Sequence, residues 1–347
     1  MSTITPNINK TFISNLFSQE DTSQITRLDD RDIKTYRPIK IYPLTNNYNS
    51  PICVTLGNTT IFSQIYAKIT KPQNNRPNEG MINFSVDTHH LKPIADFTST
   101  NDALTEFRIS IINILEKCLK ESKSLDTNSL CIIPGKLIWK ITIDINVVKN
   151  DGNIFDAAVI SALAIWLTYK IPFFKIENNK IYYDKFINLT VIHMPVCITH
   201  GIFLKKNGKI IFVLDTTEDE ENVMSGNVSV CANIFGEISY MQMNTQAQIG
   251  IEEINELISI MDNNVQFIHK LIKDFARKEN KRVEKLINIS DDNNNFIKEM
   301  EVDNEENSED KEDKESDDKI INNKKLNEVM NIEDESKNKI NILSLKK

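Results

Sequence analysis

The stretch that most constrains this chain is Lys149–Leu167, KNDGNIFDAAVISALAIWL. It opens with a polar turn, Asn150-Asp151-Gly152-Asn153, which offers N-cap oxygens and one glycine with free backbone geometry. The rest is almost wholly apolar. Ala157, Ala158, Ser161, Ala162 and Ala164 let other backbone come close, while Ile154, Ile160, Leu163, Ile165 and Trp166 fill volume. Apolar residues on every side predict a buried helix rather than a surface one. Asp156 and Ser161 interrupt the run, which is too short and too polar to span a bilayer. The strand-like segment Leu137–Val148 leads straight into it. The unit is strand, tight polar turn, buried helix.

At 347 residues, with 40% apolar, the chain has room for one large domain or two modest ones. Its net charge of −8 is unevenly spread. Between Asp291 and Lys319, 14 acidic residues face four lysines, and from Ile320 onward six lysines face four acids. Residues 1–290 are therefore neutral, and the acidity belongs to the tail. The cysteines Cys53, Cys118, Cys131, Cys197 and Cys231 are widely spaced, with no CxxC pair and no Cys/His cluster at zinc spacing. They read as buried, reduced thiols of a cytosolic or nuclear protein. The first residues lack a basic region followed by an apolar one, so neither a signal peptide nor a transmembrane helix is expected.

Residues 8–24 read as a short amphipathic helix with Phe12, Leu16 and Phe17 on one side. Arg27–Arg31 is a charged loop. Extended runs follow at Arg37–Tyr42 and Pro51–Leu56, and Gly57-Asn58 turns a hairpin into Thr59–Thr70. The loop Lys71–Asn78 is polar and broken by prolines, and Met81–Val86 re-enters a strand. Asn101 or Asp102 caps a helix to about Glu121, with Leu104, Phe107, Ile111, Ile114, Leu115 and Cys118 as its apolar face. Lys117, Lys120 and Lys123 fall at threefold spacing near its end. Basic residues there answer the helix dipole, or they form a patch for phosphates. Short apolar runs follow at Ile171–Ile176, Leu189–His193 and Val196–Leu204. A second hairpin at Lys205–Gly208 leads into Lys209–Leu214, and Asp215–Glu221 is an acidic turn. Val228–Ile234 and Glu237–Met243 are further strands, and a helix covers residues 250–287. From Ser290 the chain is rich in Asp, Glu, Asn and Lys, as disordered segments are. Two blocks thus repeat one plan, a hairpin-rich sheet followed by a covering helix, which is an α+β fold.

Several stretches together resemble the RNase PH family: Arg27-Leu-Asp-Asp-Arg31 with Tyr36-Arg-Pro-Ile-Lys-Ile41, Glu79-Gly80, and Leu119–Asp126 followed by Leu130–Trp139. Asp151-Gly-Asn-Ile-Phe-Asp-Ala-Ala158 and His193-Met-Pro-Val-Cys197 complete the ordered set, which spans about residues 12–285. The likeness is greatest to non-catalytic members of the exosome ring. It implies an RNase PH fold of two βαβα-like halves of the ribosomal protein S5 domain 2 type. The expected organisation is an N-terminal helical arm (1–26), a first domain (27–185), a second domain with its C-terminal helix (186–288), and a disordered acidic tail (289–347). Implied partners are other RNase PH-type exosome subunits in a six-membered ring, S1/KH cap subunits and single-stranded RNA, threaded 3′ end first. No membrane, metal or cofactor is implied, and the expected location is the nucleus, nucleolus included, and the cytoplasm.

Active members of that family cleave RNA with inorganic phosphate, a chemistry of positioning and charge stabilisation. The resemblance places a phosphate-gripping arginine in the turn before the central helix, where this chain has Asn153, with Asp151 nearby to repel phosphate. It places two aspartates where this chain has Glu221 and Asn227. These departures imply a non-catalytic scaffold and RNA-guiding subunit in RNA processing and decay. The alternative is an active phosphate-dependent 3′→5′ exoribonuclease. RNA-contacting candidates are Lys71 and Arg76 in the channel-facing loop, with Lys117 and Lys120 near a partner's active site; Arg76 also reads as an ordinary solvated loop arginine, and Lys117 and Lys120 as residues answering the helix dipole. His193 and His200 read as core or edge histidines, His89-His90 as a loop pair without a metal pattern, and Trp139 and Trp166 as core. Arg27 and Arg31 read either as anchors on a ring neighbour or as surface ion pairs. The family's glycine in that segment is Asp30 here.

Overall fold

A computed structural model of the chain describes residues 7–18, 27–88, 100–177, 180–245, 247–293 and 299–300. Period-two alternation builds its first sheet. Strands β1 (Ile39–Pro43), β2 (Ile52–Leu56), β3 (Thr59–Thr70), β4 (Met81–Asp87), β5 (Cys131–Ile133) and β6 (Leu137–Lys149) run in the order β1-β2-β3-β6-β4, with β5 on β6. All pairs are antiparallel except β4 with β6. Along β3, Thr59, Ile61, Ser63, Ile65 and Ala67 are buried at alternate positions, and β6 answers with Ile141, Ile143, Ile145 and Val147. Antiparallel neighbours need only a hairpin, whereas the parallel β4–β6 pair needs a crossover. Helix α2 (Thr100–Leu115) lies in that connection. Its continuation differs from expectation, because Glu116–Glu121 is a π-helical turn rather than more α-helix. Ile111, Ile114, Leu115 and Cys118 of the expected face are buried, and so is Leu119, which that face did not include.

The helix expected from the alanine-rich stretch is α3 (Ile154–Thr168), and all of it but Phe155 and Leu167 is buried. It packs on β2 and β3 from one side and on β9 (Val196–Leu204) from the other. The second sheet runs β10-β9-β11-β12, all antiparallel, with β10 (Ile210–Leu214), β11 (Gly226–Ala232) and β12 (Ile238–Thr245). Strand β9 is buried without alternation from Val196 to Phe203. The reason is cover on both faces, since α3 packs on it and so does the long helix α5 (Ile251–Asn293). Leu257, Met261, Val265, Ile268, Ile272, Ala276 and Val283 form the buried stripe of α5 at three- and four-residue spacing. Four of the five thiols are buried, Cys131 is half-buried, and all five are free. Trp139 and Trp166 are core, as expected.

The described residues fall in two units, one within 7–174 and 183–293, the other within 175–182 and 299–300. Strands β7 (Lys170–Glu177), β8 (Lys180–Asn188) and β13 (Glu299–Met300) form a sheet ordered β13-β8-β7, in which Glu299 and Met300 pair with Tyr182 and Ile181. Several expectations change. The first helix, α1 (Asn7–Phe17), buries Ile13 and Phe17 and half-buries Leu16, whereas Phe12 is 52% exposed. Leu189–His193 is not a strand; Val191 makes one isolated bridge to Leu125. Asp215–Glu221 is partly helical, with α4 (Glu218–Glu221) capped by Thr217 and Glu220 in a capping box. No helix among the described residues is long and apolar enough to cross a membrane. His89-His90, the end of the N-terminal helix expected to reach residue 24, and the acidic tail beyond α5 and β13 lie outside the described residues.

Candidate functional site

Three chain segments meet at the start of α3: the loop 27–37, the turn 150–153, and the segment from the end of β10 through α4. The turn is set by short-range bonds. Asn150 Oδ1 accepts the Gly152 N–H at 2.9 Å, and Thr59 Oγ1 both accepts the Asp151 N–H at 3.1 Å and donates to the Gly152 carbonyl at 2.7 Å. Gly152 and Asn153 have φ of 85° and 55°, the left-handed region that glycine and asparagine tolerate best. Asn153 therefore does not cap α3 with its oxygen, contrary to expectation. Its own N–H is taken instead by Glu221 Oε1 at 2.7 Å, a carboxylate from α4 lying against the helix's positive end.

Asp215, just past β10, is the hub. Its buried carboxylate accepts from Arg37 N (2.7 Å), Arg37 Nε (3.0 Å), Arg37 Nη2 (2.8 Å), Arg31 Nη1 (3.0 Å) and Asn153 Nδ2 (2.9 Å). Burial alone would raise its pKa. The Arg37 hydrogen bonds and charge reverse that and hold it below the ordinary carboxylate value. Arg37 also donates to the carbonyls of Asp151 and Gly152, at 2.6 and 3.1 Å. Arg27, expected at a surface or on a neighbour, is buried within its own chain. It grips Glu220 through Nε and Nη2 and the carbonyls of Leu214 and Asp215 at 2.8 Å. Arg31 is likewise engaged internally, with Asp29, Asp215 and the Thr35 carbonyl. Asp30 keeps the turn, since its φ is 60° and its N–H reaches the Arg27 carbonyl at 3.0 Å.

One turn into α3, Asp156 is fully buried and accepts from Tyr36 Oη (2.8 Å), Asn153 Nδ2 (2.9 Å), Thr199 N (3.1 Å) and Thr199 Oγ1 (2.8 Å). Desolvation outweighs those bonds and pushes its pKa to about 6. Glu221 is pushed to about 7, again by desolvation, against the opposing pull of the Asn153 N–H and Arg37. Asp156 and Glu221 thus hold a proton in the folded chain at pH values where the unfolded chain has released it. Stability from these groups is therefore fully present in acid and lost as pH rises from about 4 through 7. For Glu221 this amounts to about 2 kcal/mol after allowing for its partial exposure. Replacing Glu221 by glutamine keeps an acceptor for the Asn153 N–H and removes the charge. Denaturation at pH 5 and pH 8 should show a smaller loss across that interval in the variant. An equal loss in both chains would mean that Glu221 does not titrate there.

Of the degenerate positions, Asn153 and Glu221 are brought together. Asn227 lies on β11 opposite Gly201 and Asn244, and none of the bonds of this network described above reaches it. Sequence reasoning missed the hub Asp215 with its partner Arg37, and the buried Asp156 with its partner Tyr36. A lone aspartate within an otherwise apolar helix was the available signal, because carboxylates are rarely buried unpaired. His200 is buried inside β9, neither ring nitrogen has a hydrogen-bond partner among the described residues, and burial lowers its pKa to about 4.

The basic candidates sit apart from this network. Lys71, Arg76, Lys117 and Lys120 are exposed. Three of the four carry a carboxylate of their own: Arg76 with Glu79 (3.1 Å), Lys117 with Glu121 (2.8 Å) and Lys120 with Glu116 (3.1 Å). Arg76 and Lys120 line one open cleft of about 900 Å3, while Lys117 lines another, of about 580 Å3, with His193 and Tyr240. Lys71 lines neither.

Comparison with known proteins places these features. Residues 35–172 match domain 1, and residues 193–261 domain 2, of the 3′ exoribonuclease family. The chain is 31% identical over 276 residues to exosome complex component RRP45 of Danio rerio, covering 78% of this chain and 68% of that protein. It is 30% identical over 266 residues to RRP45A of Arabidopsis thaliana, covering 74% and 83%. Among solved structures, an archaeal exosome core chain superposes with a TM-score of 0.62 at 20% identity, over 78% of this chain and 96% of that one. A chain of the Archaeoglobus fulgidus exosome solved with RNA in the active site gives 0.61 at 19%, over 76% and 97%. With both domains matched in order, and relatives at this identity covered over two thirds or more of their length, the chain belongs to the RNase PH-type 3′ exoribonuclease family.

Proposed function

We propose that this chain is an RNase PH-type subunit of an exosome core ring, one that scaffolds the ring and borders the RNA path without performing phosphorolysis itself. The observation that carries this reading is the closed state of the turn before α3. The family resemblance puts a phosphate-gripping arginine there. This chain puts Asn153, whose side-chain amide is spent on Asp156 and Asp215 and whose N–H is spent on Glu221. An incoming phosphate would find the Asn153 donors taken, and the Arg37 guanidinium beside the turn is already committed to Asp215. Anion stabilisation needs donors free to face the developing charge. The partners are other RNase PH-type subunits in the ring, S1/KH cap subunits and single-stranded RNA, met at Lys71, Arg76, Lys117 and Lys120. The activity is 3′→5′ RNA processing and decay in nucleus, nucleolus and cytoplasm.

The test is RNA decay by the chain alone and by its reconstituted ring, with and without inorganic phosphate. The expected result is that Glu221→Ala leaves nucleoside diphosphate release unchanged, while changing Lys117 and Lys120 together to alanine weakens RNA binding by the ring. Phosphate-dependent release that disappears with Glu221→Ala would make this chain an enzyme.

A further inference from the structure

The cleft of about 900 Å3 runs between residues 73–83 and the segment 120–128, and its lining includes Gln73, Asn75 and Asn128 with the carboxylate residues Glu79, Glu121 and Asp126. Its basic lining residues are Arg76, Lys120 and Lys123. Arg76 is held by Glu79 and Lys120 by Glu116, whereas Lys123 is exposed and has no ion pair among the described residues. The backbone at Lys123 is unusual as well. It follows the π-helical turn with φ of 57°, its N–H bonding the Lys120 carbonyl at 3.1 Å and the next N–H bonding that of Leu119 at 3.2 Å. A chain reversal of this kind at a helix end favours glycine, which adopts it without strain. A lysine there is worse for the backbone than glycine would be.

We infer that Lys123 anchors a phosphodiester of single-stranded RNA in this cleft. This rests on the RNA-path reading above and adds a contact that the basic spacing alone does not single out. A free ammonium meets phosphate without first giving up a carboxylate, which Arg76, Lys117 and Lys120 must do. Phosphate contacts carry no base information. Lys123 therefore supplies position and affinity without sequence preference.

The experiment uses the reconstituted ring and a fluorescent oligouridylate, with affinity measured across a salt series. Lys123→Gly relieves the backbone, so the variant should fold at least as well as the parent. It should bind RNA about three- to tenfold more weakly, with the slope of log affinity against log salt smaller by about 0.7, the share of one single-strand phosphate. Lys123→Arg should restore both. Unchanged affinity and slope in Lys123→Gly, in a ring where the Lys117/Lys120 double variant does weaken binding, would overturn the inference and leave the RNA-path reading intact. If neither variant changes binding, both readings fall. A loss in Lys123→Gly that arginine does not restore would assign the effect to the turn and overturn the anchor.

Discussion

Asp215→Ala should cost about 3–5 kcal/mol of folding free energy, the range for removing one partner of a buried charge pair. The variant leaves Arg37 and Arg31 facing a site that held a carboxylate, with the Arg37 side chain buried and unable to turn to water. Asn153 Nδ2 loses one of its two acceptors at the same time. Asp215→Asn keeps one acceptor without the charge and should cost less. Chemical denaturation at pH 7 measures both. Because the folded-state pKa of Asp215 is depressed, its contribution is present above the ordinary carboxylate value and lost as pH falls below it. The difference between parent and Asp215→Asn should therefore shrink in acid. An alanine variant within about 1 kcal/mol of the parent would show that the two guanidiniums find other partners, and the hub assignment would fail.

Gly152→Ala should be nearly as damaging, by about 3 kcal/mol or more, through two independent effects. The residue sits at φ 85°, which a side chain opposes. The added Cβ would also lie 2.4 Å from the Thr216 carbonyl oxygen, 2.6 Å from the Thr217 carbonyl carbon and 2.8 Å from the Glu218 N. These are backbone atoms, and Arg27 and Arg37 tie down the same segment through the carbonyls of Leu214, Asp215 and Thr216. Nothing there gives way cheaply. The variant should be recovered at low yield with a melting temperature several degrees lower. Gly135→Ala is the control for strain without contact, because its φ is 73° and no atom lies within 4 Å of the added Cβ. If both glycine variants lose equal stability, the close approach of the Thr216–Glu218 backbone plays no part.

The parts of the fold that were legible in sequence are those fixed by near neighbours. Gly57-Asn58 set the β2–β3 hairpin, and the bounds of β3 and β9 agree with the alternating and apolar runs. The small residues of α3 marked a helix with backbone on several sides. The π-helical turn was not legible, because the apolar spacing that marks the helix carries no sign of the change in winding at Glu116–Glu121. Strand β8 was missed because LysIleTyrTyrAspLysPheIleAsn mixes aromatic and charged residues without clean alternation. At the candidate site, the family likeness located Asn153 and Glu221 but not what holds them. Arg27 and Arg31 were read as anchors on a neighbour or surface ion pairs and Arg37 as part of an extended run, yet each is matched to a carboxylate or carbonyl near residue 215 or 220. Local spacing carries no trace of such pairings, whereas the Asp156 anomaly did carry one.

Those pairings have a consequence for how the chain is made. Arg37 bonds a carboxylate 178 residues further on, and Arg27 one 193 residues further on. Synthesis runs from the N-terminus, so three arginines leave the ribosome long before β10 and α4 exist. Until then the first sheet and α3 have no Asp215 to close the turn and no β9 to cover the second face of the helix. The unfinished chain exposes an apolar helix beside uncompensated positive charge, a combination that invites chaperones and anionic strangers alike. Completing the network depends on loop closures of 178 and 193 residues, and such distant contacts form slowly. The step that seals the turn before α3 is thus also the step that tells a growing chain it has reached residue 220.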